Sequence, residues 1–223
     1  MSGSGAPVHF LVEYGHSVAR LESQSAFQNF PERILVRRWY RQIMALKDLI
    51  RTIPDHPKAG IAFRDITTLL LDADGFHRAV DEIAEPYMNG LDSVARPELV
   101  VGIEARGFIF GTAIAYSLGL GFVPLRKHGK LPGKTIGREF ELEYGHDRIE
   151  MHIGAIKAHQ KVLLVDDLIA TGGTAEAAVQ LIREVGAEII ESVFVIALPD
   201  LGGVERLRKI GCSVRSLCEF EGD

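Results

Sequence analysis

Two adjacent carboxylates, Asp166 and Asp167, stand between the apolar run Val162–Val165 and the small-residue loop Ala170–Thr174. Carboxylate oxygens can hold the hydroxyls of a sugar, and they are also ligands that Mg²⁺ accepts. The apolar spacing after the loop is typical of a helix, so free backbone N–H groups and the positive end of a helix dipole would surround one point beside the carboxylates. This order of residues predicts a phosphate site next to a site for sugar hydroxyls or Mg²⁺.

The loop has the residue types that phosphate binding requires. Its glycines can adopt positive φ and carry no Cβ that would keep a ligand away from the backbone, and its threonines supply hydroxyl donors. The predicted phosphate-binding residues are Ala170, Thr171, Gly172, Gly173 and Thr174. An ordinary strand-to-helix turn capped by threonine is the alternative that a lone glycine pair would favour, but the whole run from Val162 to Thr174 is more specific.

A second charged turn follows the strand-like segment Leu99–Ile103. Glu104 and Arg106 lie in this turn and Gly107 opens a helical pattern, so backbone N–H groups and a guanidinium would meet at one place. A polar connection without a ligand is the alternative for this turn taken alone. Together, the two loops predict a ligand with a phosphate at one end and a pyrophosphate at the other.

The apolar periodicity places these turns in an alternating series of strands and helices. The predicted strands are Leu99–Ile103, Gly121–Leu125, Val162–Val165, Glu188–Leu198 and Ser213–Phe220. One helix is predicted to begin near Gln42, and four more are predicted at Phe76–Met88, Gly107–Leu118, Ala175–Val185 and Gly203–Ile210. Such alternation is typical of an α/β fold whose parallel sheet binds ligands at the carboxyl ends of its strands. Residues 126–148 are polar and rich in glycine, and they are predicted to form a long loop.

Length and composition limit the possible classes of protein. The chain has 223 residues, 47% of them hydrophobic, which predicts one domain with one substantial core. Residues 1–40 show no sustained periodicity and are predicted to be a poorly ordered extension, and residues 41–223 are predicted to form the domain.

Charge and cysteine content exclude further classes. The net charge of −5 argues against nucleic acid as a partner, and no apolar run reaches the roughly 20 residues that span a bilayer. The N-terminus lacks the pattern of a secretory signal. Cys212 and Cys218 are predicted to be reduced thiols of a cytoplasmic protein.

A third segment, Pro54–Thr67, combines two prolines and a glycine with Phe63 and Arg64, which offer a stacking face and a planar donor. A surface turn with Phe63 in the core is the alternative. The segment resembles the purine hood of the adenine phosphoribosyltransferases, which has the pattern P-D-(F/Y)-P-x-x-G-I-x-F-R-D-(I/V)-T. The run from Val162 to Thr174 resembles the motif with which the wider type I phosphoribosyltransferase family binds phosphoribosyl pyrophosphate (PRPP).

The resemblance extends from about Gln42 to Phe220 and leaves the extension without a counterpart. It includes the segments Gly121–Lys127, Gly129–Pro132 and Leu142–Gly145, and the departures from the family pattern are His56, Ala59 and Thr68. The resemblance implies a type I phosphoribosyltransferase fold. That fold is a central, mostly parallel sheet flanked by helices, with a small hood at about residues 53–70 and a long mobile loop at about residues 126–148.

The resemblance also implies the reaction of adenine with PRPP to give AMP and pyrophosphate, in a cytoplasmic homodimer with no nucleic-acid or membrane partner. Mg²⁺ is the implied cofactor, held mainly by PRPP or pyrophosphate near Asp166 and Asp167. The implied catalytic residues are Glu143, Asp166, Asp167 and Arg106. The implied pyrophosphate-binding residues are Glu104, Ala105, Arg106, Gly107, Arg126 and Lys127, and the implied adenine-binding residues are Ile61, Phe63 and Arg64.

Three alternatives stay open. Glu143 is either a proton carrier on the mobile loop or a solvated loop charge. The purine is either adenine or another base such as hypoxanthine or guanine, and the Phe63–Arg64 pair favours adenine. The protein is either an enzyme or a PRPP-sensing transcriptional regulator, but the chain lacks a helix-turn-helix pattern and keeps the Leu142–Gly145 loop.

Overall fold

The computed structural model describes residues 10–14, 17–21, 45–88, 95–142 and 145–222, and the chain divides into two units, Met1–Met44 and Ala45–Asp223. In the first unit, strands β1 (Phe10–Tyr14) and β2 (Ser17–Leu21) pair in antiparallel register. These two strands were not predicted from the sequence. Aromatic and β-branched residues joined by a two-residue connection that contains Gly15 are a hairpin signal that the search for longer periodicity overlooked.

The second unit alternates strands and helices, as predicted. Its strands are β3 (Arg51–Ile53), β4 (Phe63–Asp65), β5 (Leu99–Ile103), β6 (Gly121–Lys127), β7 (Thr135–Leu142), β8 (Gly145–His152), β9 (Lys161–Ile169), β10 (Glu188–Ala197) and β11 (Val214–Glu219). Its helices are α1 (Thr67–Leu71), α2 (Ala73–Met88), α3 (Gly107–Leu118), α4 (Gly173–Glu184) and α5 (Gly203–Lys209), with short 3-10 turns at Leu46–Leu49 and Pro199–Leu201.

The central sheet has the strand order β11-β10-β9-β5-β6-β8-β7. The first five strands are parallel to one another, and β8 runs antiparallel to both of its neighbours, β6 and β7. The predicted α/β fold with a mostly parallel sheet is therefore confirmed.

Strand β9 shows why the sequence has an uninterrupted apolar run at this place. Val162 and Leu164 belong to the core cluster on one face of the sheet, where α4 packs, while Leu163 and Val165 belong to the cluster on the other face, where α2 and α3 pack. All four side chains are fully buried. Successive residues of a strand point to opposite faces, so a strand covered on both sides needs apolar residues at every position.

Two predicted elements differ in the structure. Residues 126–148 do not form one long loop, because β6 extends to Lys127 and β7 and β8 form an antiparallel hairpin. The alternation of Ile136 and Phe140 with polar residues fits a strand with one side packed on the core. The helix predicted from Gln42 is replaced, from Ala45 onward, by one 3-10 turn and β3, and residues 42–44 lie outside the described residues.

The described part of the chain contains no helix that is long and apolar enough to cross a membrane. Cys212 and Cys218 are both free, as predicted. Burial raises the pKa of the Cys218 thiol to about 11, and its Sγ lies 3.2 Å from the carbonyl oxygen of Val195. These contacts give the Cys218 thiol a packing role.

Candidate active site

The acidic pair lies where two parallel strands part. Strand β9 pairs with β5 only as far as Val165, opposite Gly102, but it pairs with β10 as far as Ile169. The prediction that the strand stops at the carboxylates is therefore corrected: Asp166 and Asp167 lie within β9, and the sheet opens beside them on the β5 side. Such a crevice at the carboxyl ends of parallel strands is a preferred ligand site.

A cavity of about 650 Å³ opens at this crevice. Most of the predicted anion-binding and acidic residues line it, namely Glu104, Ala105, Arg106, Lys127, Asp166, Asp167, Ala170, Thr171, Gly172, Gly173 and Thr174. The lining also includes residues that were not predicted: Ile103, Phe140, Asp147, Ile149, Leu168, Ile169 and Ala175. Phe140, Asp147 and Ile149 come from the β7–β8 hairpin, whose strand pattern is the signal that would have revealed them.

The lining does not include every predicted site residue. Gly107, Arg126, Ile61, Phe63 and Arg64 are outside the lining of the cavity. Glu143 and its neighbour Tyr144 are outside the described residues.

The two carboxylates have different surroundings. Asp167 is 5% exposed, and its Oδ2 accepts a hydrogen bond from Nε of Arg106 at 2.5 Å. Asp166 accepts the backbone N–H of Asp167 at 2.8 Å. Burial and the neighbouring carboxylate of Asp167 raise the pKa of Asp166 well above its ordinary value. The pair is thus an acidic site that a further positive charge would stabilise.

Gly107 brings the second turn against the acidic pair. A Cβ on this residue would lie 2.6 Å from Oδ1 of Asp166 and 2.9 Å from the carbonyl oxygen of Val165. Only glycine therefore lets the first turn of α3 approach β9 this closely. The structure gives Gly107 a packing role that places the N-terminus of α3, next to Arg106, at the mouth of the crevice.

The phosphate loop ends in a glycine-capped helix. Gly172 has φ +78° and is the N-cap of α4, so it offers no side chain to the first N–H groups of the helix. These N–H groups and the helix dipole favour an anion at this place. Helix α4 begins at Gly173, two residues before the predicted start.

The structure adds a second reason for glycine at position 172. A Cβ there would meet the backbone of Gly203, with Cα and the carbonyl oxygen both at 2.9 Å. Gly203 in turn donates its N–H to the carbonyl oxygen of Ala170 at 3.0 Å. The start of α5 therefore supports the phosphate loop from behind. The Gly202–Gly203 pair was the signal for this contact, and the sequence analysis did not use it.

The predicted pyrophosphate-binding residues form a cluster of charged side chains. Glu104 accepts hydrogen bonds from Nε and Nη2 of Arg126, at 3.2 and 3.3 Å, and from the N–H of Lys127 at 2.9 Å. Burial raises the pKa of Glu104, but these hydrogen bonds outweigh it and the net shift is downward. Lys127 faces the cavity, with its Nζ 3.3 Å from Asp147. Arg126 thus fixes Glu104, and Lys127 brings an ammonium group, paired with Asp147, to the lining of the cavity.

The hood reaches the site through Phe63. Its ring centroid lies 5.8 Å from the guanidinium of Arg106, and the ring of His56 packs edge-on against it at 5.0 Å. Ile61 is 41% exposed. The side chain of Arg64 turns away from Phe63 and donates to Oγ1 of Thr52 at 2.7 Å. The structure therefore brings Phe63 beside Arg106, which is bonded to Asp167, and directs the Arg64 side chain toward Thr52.

The donor set is compatible with Mg²⁺ held jointly with a ligand. Within the described ranges, no group of three or more His, Cys, Asp or Glu side chains could hold a metal by itself. Mg²⁺ is commonly bound through one or two carboxylates, with water and substrate phosphates completing its six ligands. Asp166 and Asp167 supply that number of carboxylates.

The fold and the site define an α/β protein with two helix N-termini on either side of an acidic pair, an arrangement suited to a sugar that carries two phosphate-type groups. The family model of the Phosphoribosyl transferase domain matches residues 67–216. The adenine phosphoribosyltransferase of Methylorubrum populi is 59% identical over 182 residues, which cover 82% of this chain and 98% of the relative. The chain belongs to the phosphoribosyltransferase family and, within it, to the adenine phosphoribosyltransferases.

Solved structures agree with this assignment. The adenine phosphoribosyltransferase of Rhodothermus marinus is 44% identical, with a TM-score of 0.71, covering 78% of this chain and 96% of that one. The enzyme of Saccharomyces cerevisiae, solved in complex with an imino-altritol bisphosphate and adenine, is 38% identical, with a TM-score of 0.72 and coverages of 78% and 96%.

Proposed function

We propose that the protein transfers the 5-phosphoribosyl group of PRPP to adenine and releases AMP and pyrophosphate, a purine salvage reaction. The observation that carries this proposal is the cavity lined by the phosphate loop, the turn Glu104–Arg106 and the acidic pair. The relatives at 59% and 44% identity support it, since both are adenine phosphoribosyltransferases. The structure of the Saccharomyces cerevisiae relative contains adenine, which supports the choice of base.

Each group of site residues has a separate role in the proposed reaction. The N–H groups at the start of α4 hold the 5′-phosphate, and the turn Glu104–Gly107 with Lys127 holds the pyrophosphate. Asp166 and Asp167 hold the ribose hydroxyls, and their negative charge stabilises the positive charge that develops on the ribose as the pyrophosphate leaves. Mg²⁺, when bound near the acidic pair, neutralises the charge of the leaving group. Phe63 offers its ring to the purine.

Formation of AMP from PRPP tests this function directly. We expect turnover with adenine and none of comparable rate with guanine, hypoxanthine or xanthine. Higher turnover with hypoxanthine or guanine would assign the enzyme to another purine. Binding of PRPP without turnover of any base would indicate a PRPP-sensing regulator.

We assign Glu143 the proton transfer at the purine, with a solvated loop charge as the alternative. Replacing Glu143 by glutamine is then expected to lower kcat strongly and to change the affinity for PRPP little, because a proton carrier acts in the transition state. Steady-state kinetics with both substrates and calorimetric titration of PRPP measure the two effects. A variant with a raised KM and an intact kcat would show that Glu143 only binds substrate.

We also propose a cytoplasmic homodimer. On α3, Ile109 is 41% exposed and Tyr116 is 90% exposed, and their spacing of seven residues places them on one stripe of the helix. An exposed aromatic and an exposed isoleucine on one stripe favour contact with a second copy. The two free thiols support a reducing compartment such as the cytoplasm.

Residues 1 to about 40 are expected to be dispensable, because the predicted contacts with PRPP and adenine all lie outside them. A chain that starts near Tyr40 should fold, dimerise and turn over adenine at the full-length rate. Light scattering measures the mass in solution and the AMP assay measures the rate. Loss of the dimer, or a decrease in turnover of about tenfold (~1.4 kcal/mol in the barrier), would show that the extension is part of the working enzyme.

A further inference from the structure

The C-terminal segment Phe220–Gly222 is bonded to the side chain of Arg64 in the hood. The Arg64 guanidinium lies 4.7 Å from the centroid of the Phe220 ring. Its Nη2 donates to the carbonyl oxygens of Glu221 at 3.3 Å and of Gly222 at 3.5 Å. A planar guanidinium that stacks on a ring and donates from its edge needs one defined position of the segment.

The segment is itself fixed to the body of the domain. Phe220 is 7% exposed, and its N–H donates to the carbonyl oxygen of Ala197, at the end of β10, at 3.0 Å. The N–H of Gly222 donates to the carboxylate of Asp200 at 2.8 Å. Lys47 places its Nζ 4.8 Å from the Phe220 ring. The segment therefore offers Arg64 a rigid partner.

The C-terminal end of the hood is anchored in the core, where Ile66 and Leu69 are buried. Among the described residues, β3 and β4 pair only with each other and do not join the central sheet. One end of β4 is fastened by Asp65, which accepts hydrogen bonds from Thr67 and Arg51, and these contacts lower its pKa to about 2. Arg64 is the contact that ties β4 to the C-terminal segment.

Strand geometry connects this contact to the active site. Adjacent residues of a strand point to opposite sides, so Phe63 faces Arg106 while Arg64 faces Phe220. A shift of the Arg64 backbone would move Phe63 with it. The position of the C-terminal segment thus sets the position of the ring that faces the purine.

We propose that Phe220–Gly222 is a clasp that positions Phe63 for adenine, with Arg64 as a positioning residue whose side chain does not contact the base. This inference rests on the proposed function, since it concerns the purine end of that site. It assigns the C-terminal segment a role in recognition of the base that is separate from binding of the ribose and its phosphates.

Two variants test the clasp. Ending the chain after Phe220 removes both carbonyl acceptors, and Arg64→Lys removes the planar group while keeping the charge. Arg208→Lys is the matched control, because Arg208 lies on α5 in an exposed ion pair with Glu205. Melting temperatures identify a variant that does not fold, and if the shortened chain fails to fold, Arg64→Lys decides the question.

The measurement compares AMP with ribose 5-phosphate, which lacks the base, by calorimetric titration of the full-length protein and the variants. We expect both clasp variants to bind AMP at least about tenfold more weakly and ribose 5-phosphate with unchanged affinity, since a displaced ring affects only the base. In kinetics, the KM for adenine should rise and the KM for PRPP should stay the same.

Three outcomes would overturn the clasp: equal loss of affinity for both ligands, unchanged affinity for AMP, or the same loss in the Arg208→Lys control. Failure of the proposed function is recognised separately, because the unaltered protein would then neither form AMP nor bind it.

Discussion

Replacing Asp166 and Asp167 together by asparagine is expected to lower kcat by at least about 10²-fold, the scale of losing one oriented electrostatic contact in an active site. In the proposed mechanism the carboxylates hold the ribose, and neutral amides would not stabilise positive charge on it. Steady-state formation of AMP measures the effect. Asp81→Asn, on the exposed side of α2, is the matched control and should leave the rate unchanged.

The substitution Asp166→Asn alone should change the stability of the protein little. Burial and Asp167 already oppose the charged form of Asp166, so the single variant Asp166→Asn is expected to melt at or above the temperature of the unaltered protein. Asp167→Asn loses the ion pair with Arg106 and is expected to melt lower. Full activity of the double variant would remove the acidic pair from the mechanism.

The parts of the fold that were predictable have strong local signals. Strand β9 is apolar at four successive positions because both of its faces are covered, and the glycine-rich loop after it can only be a close turn into a helix. The position of the acidic pair followed from these two elements. The sequence did not show that the acidic pair lies within the strand. The strand stops pairing with β5 at Val165, and β5 is distant in sequence.

The parts that were missed depend on contacts between distant segments. Strands β7 and β8 have a weak alternating pattern in the sequence, and the packing of Ile136 and Phe140 on the core confirms which face of β7 is buried. The side chain of Arg64 donates to the carbonyl oxygen of Glu221, more than 150 residues further along the chain. A short motif identifies the residue types of a site, but it does not say which of them face the ligand.

The support of the phosphate loop by α5 leads to the second large effect. Replacing Gly172 by valine is expected to abolish the rise in melting temperature that PRPP causes. A Cβ at this position would overlap the backbone of Gly203, and φ +78° disfavours a β-branched residue. The loop must then shift, and the N–H groups at the start of α4 would no longer point together at the proposed position of the 5′-phosphate.

Calorimetric unfolding with and without PRPP measures this loss. At a PRPP concentration of 100 times Kd, binding stabilises the native state by about 2.7 kcal/mol, which corresponds to roughly 5–10 °C in a domain of this size. Gly203→Ala should lose the same shift, because its Cβ would overlap the carbonyl oxygen of Ala170. This variant changes no residue of the predicted phosphate loop, so its effect isolates the support by α5.

Gly211→Val is the control that separates backbone strain from displacement of the loop. Gly211 has φ +70°, but a Cβ there would meet nothing within 4 Å. Its replacement should lower the melting temperature and keep the full PRPP shift. If Gly172→Val also kept that shift, the 5′-phosphate would have to bind elsewhere than at the start of α4. If Gly172→Val lost it and Gly203→Ala did not, the loop would hold the phosphate without support from α5.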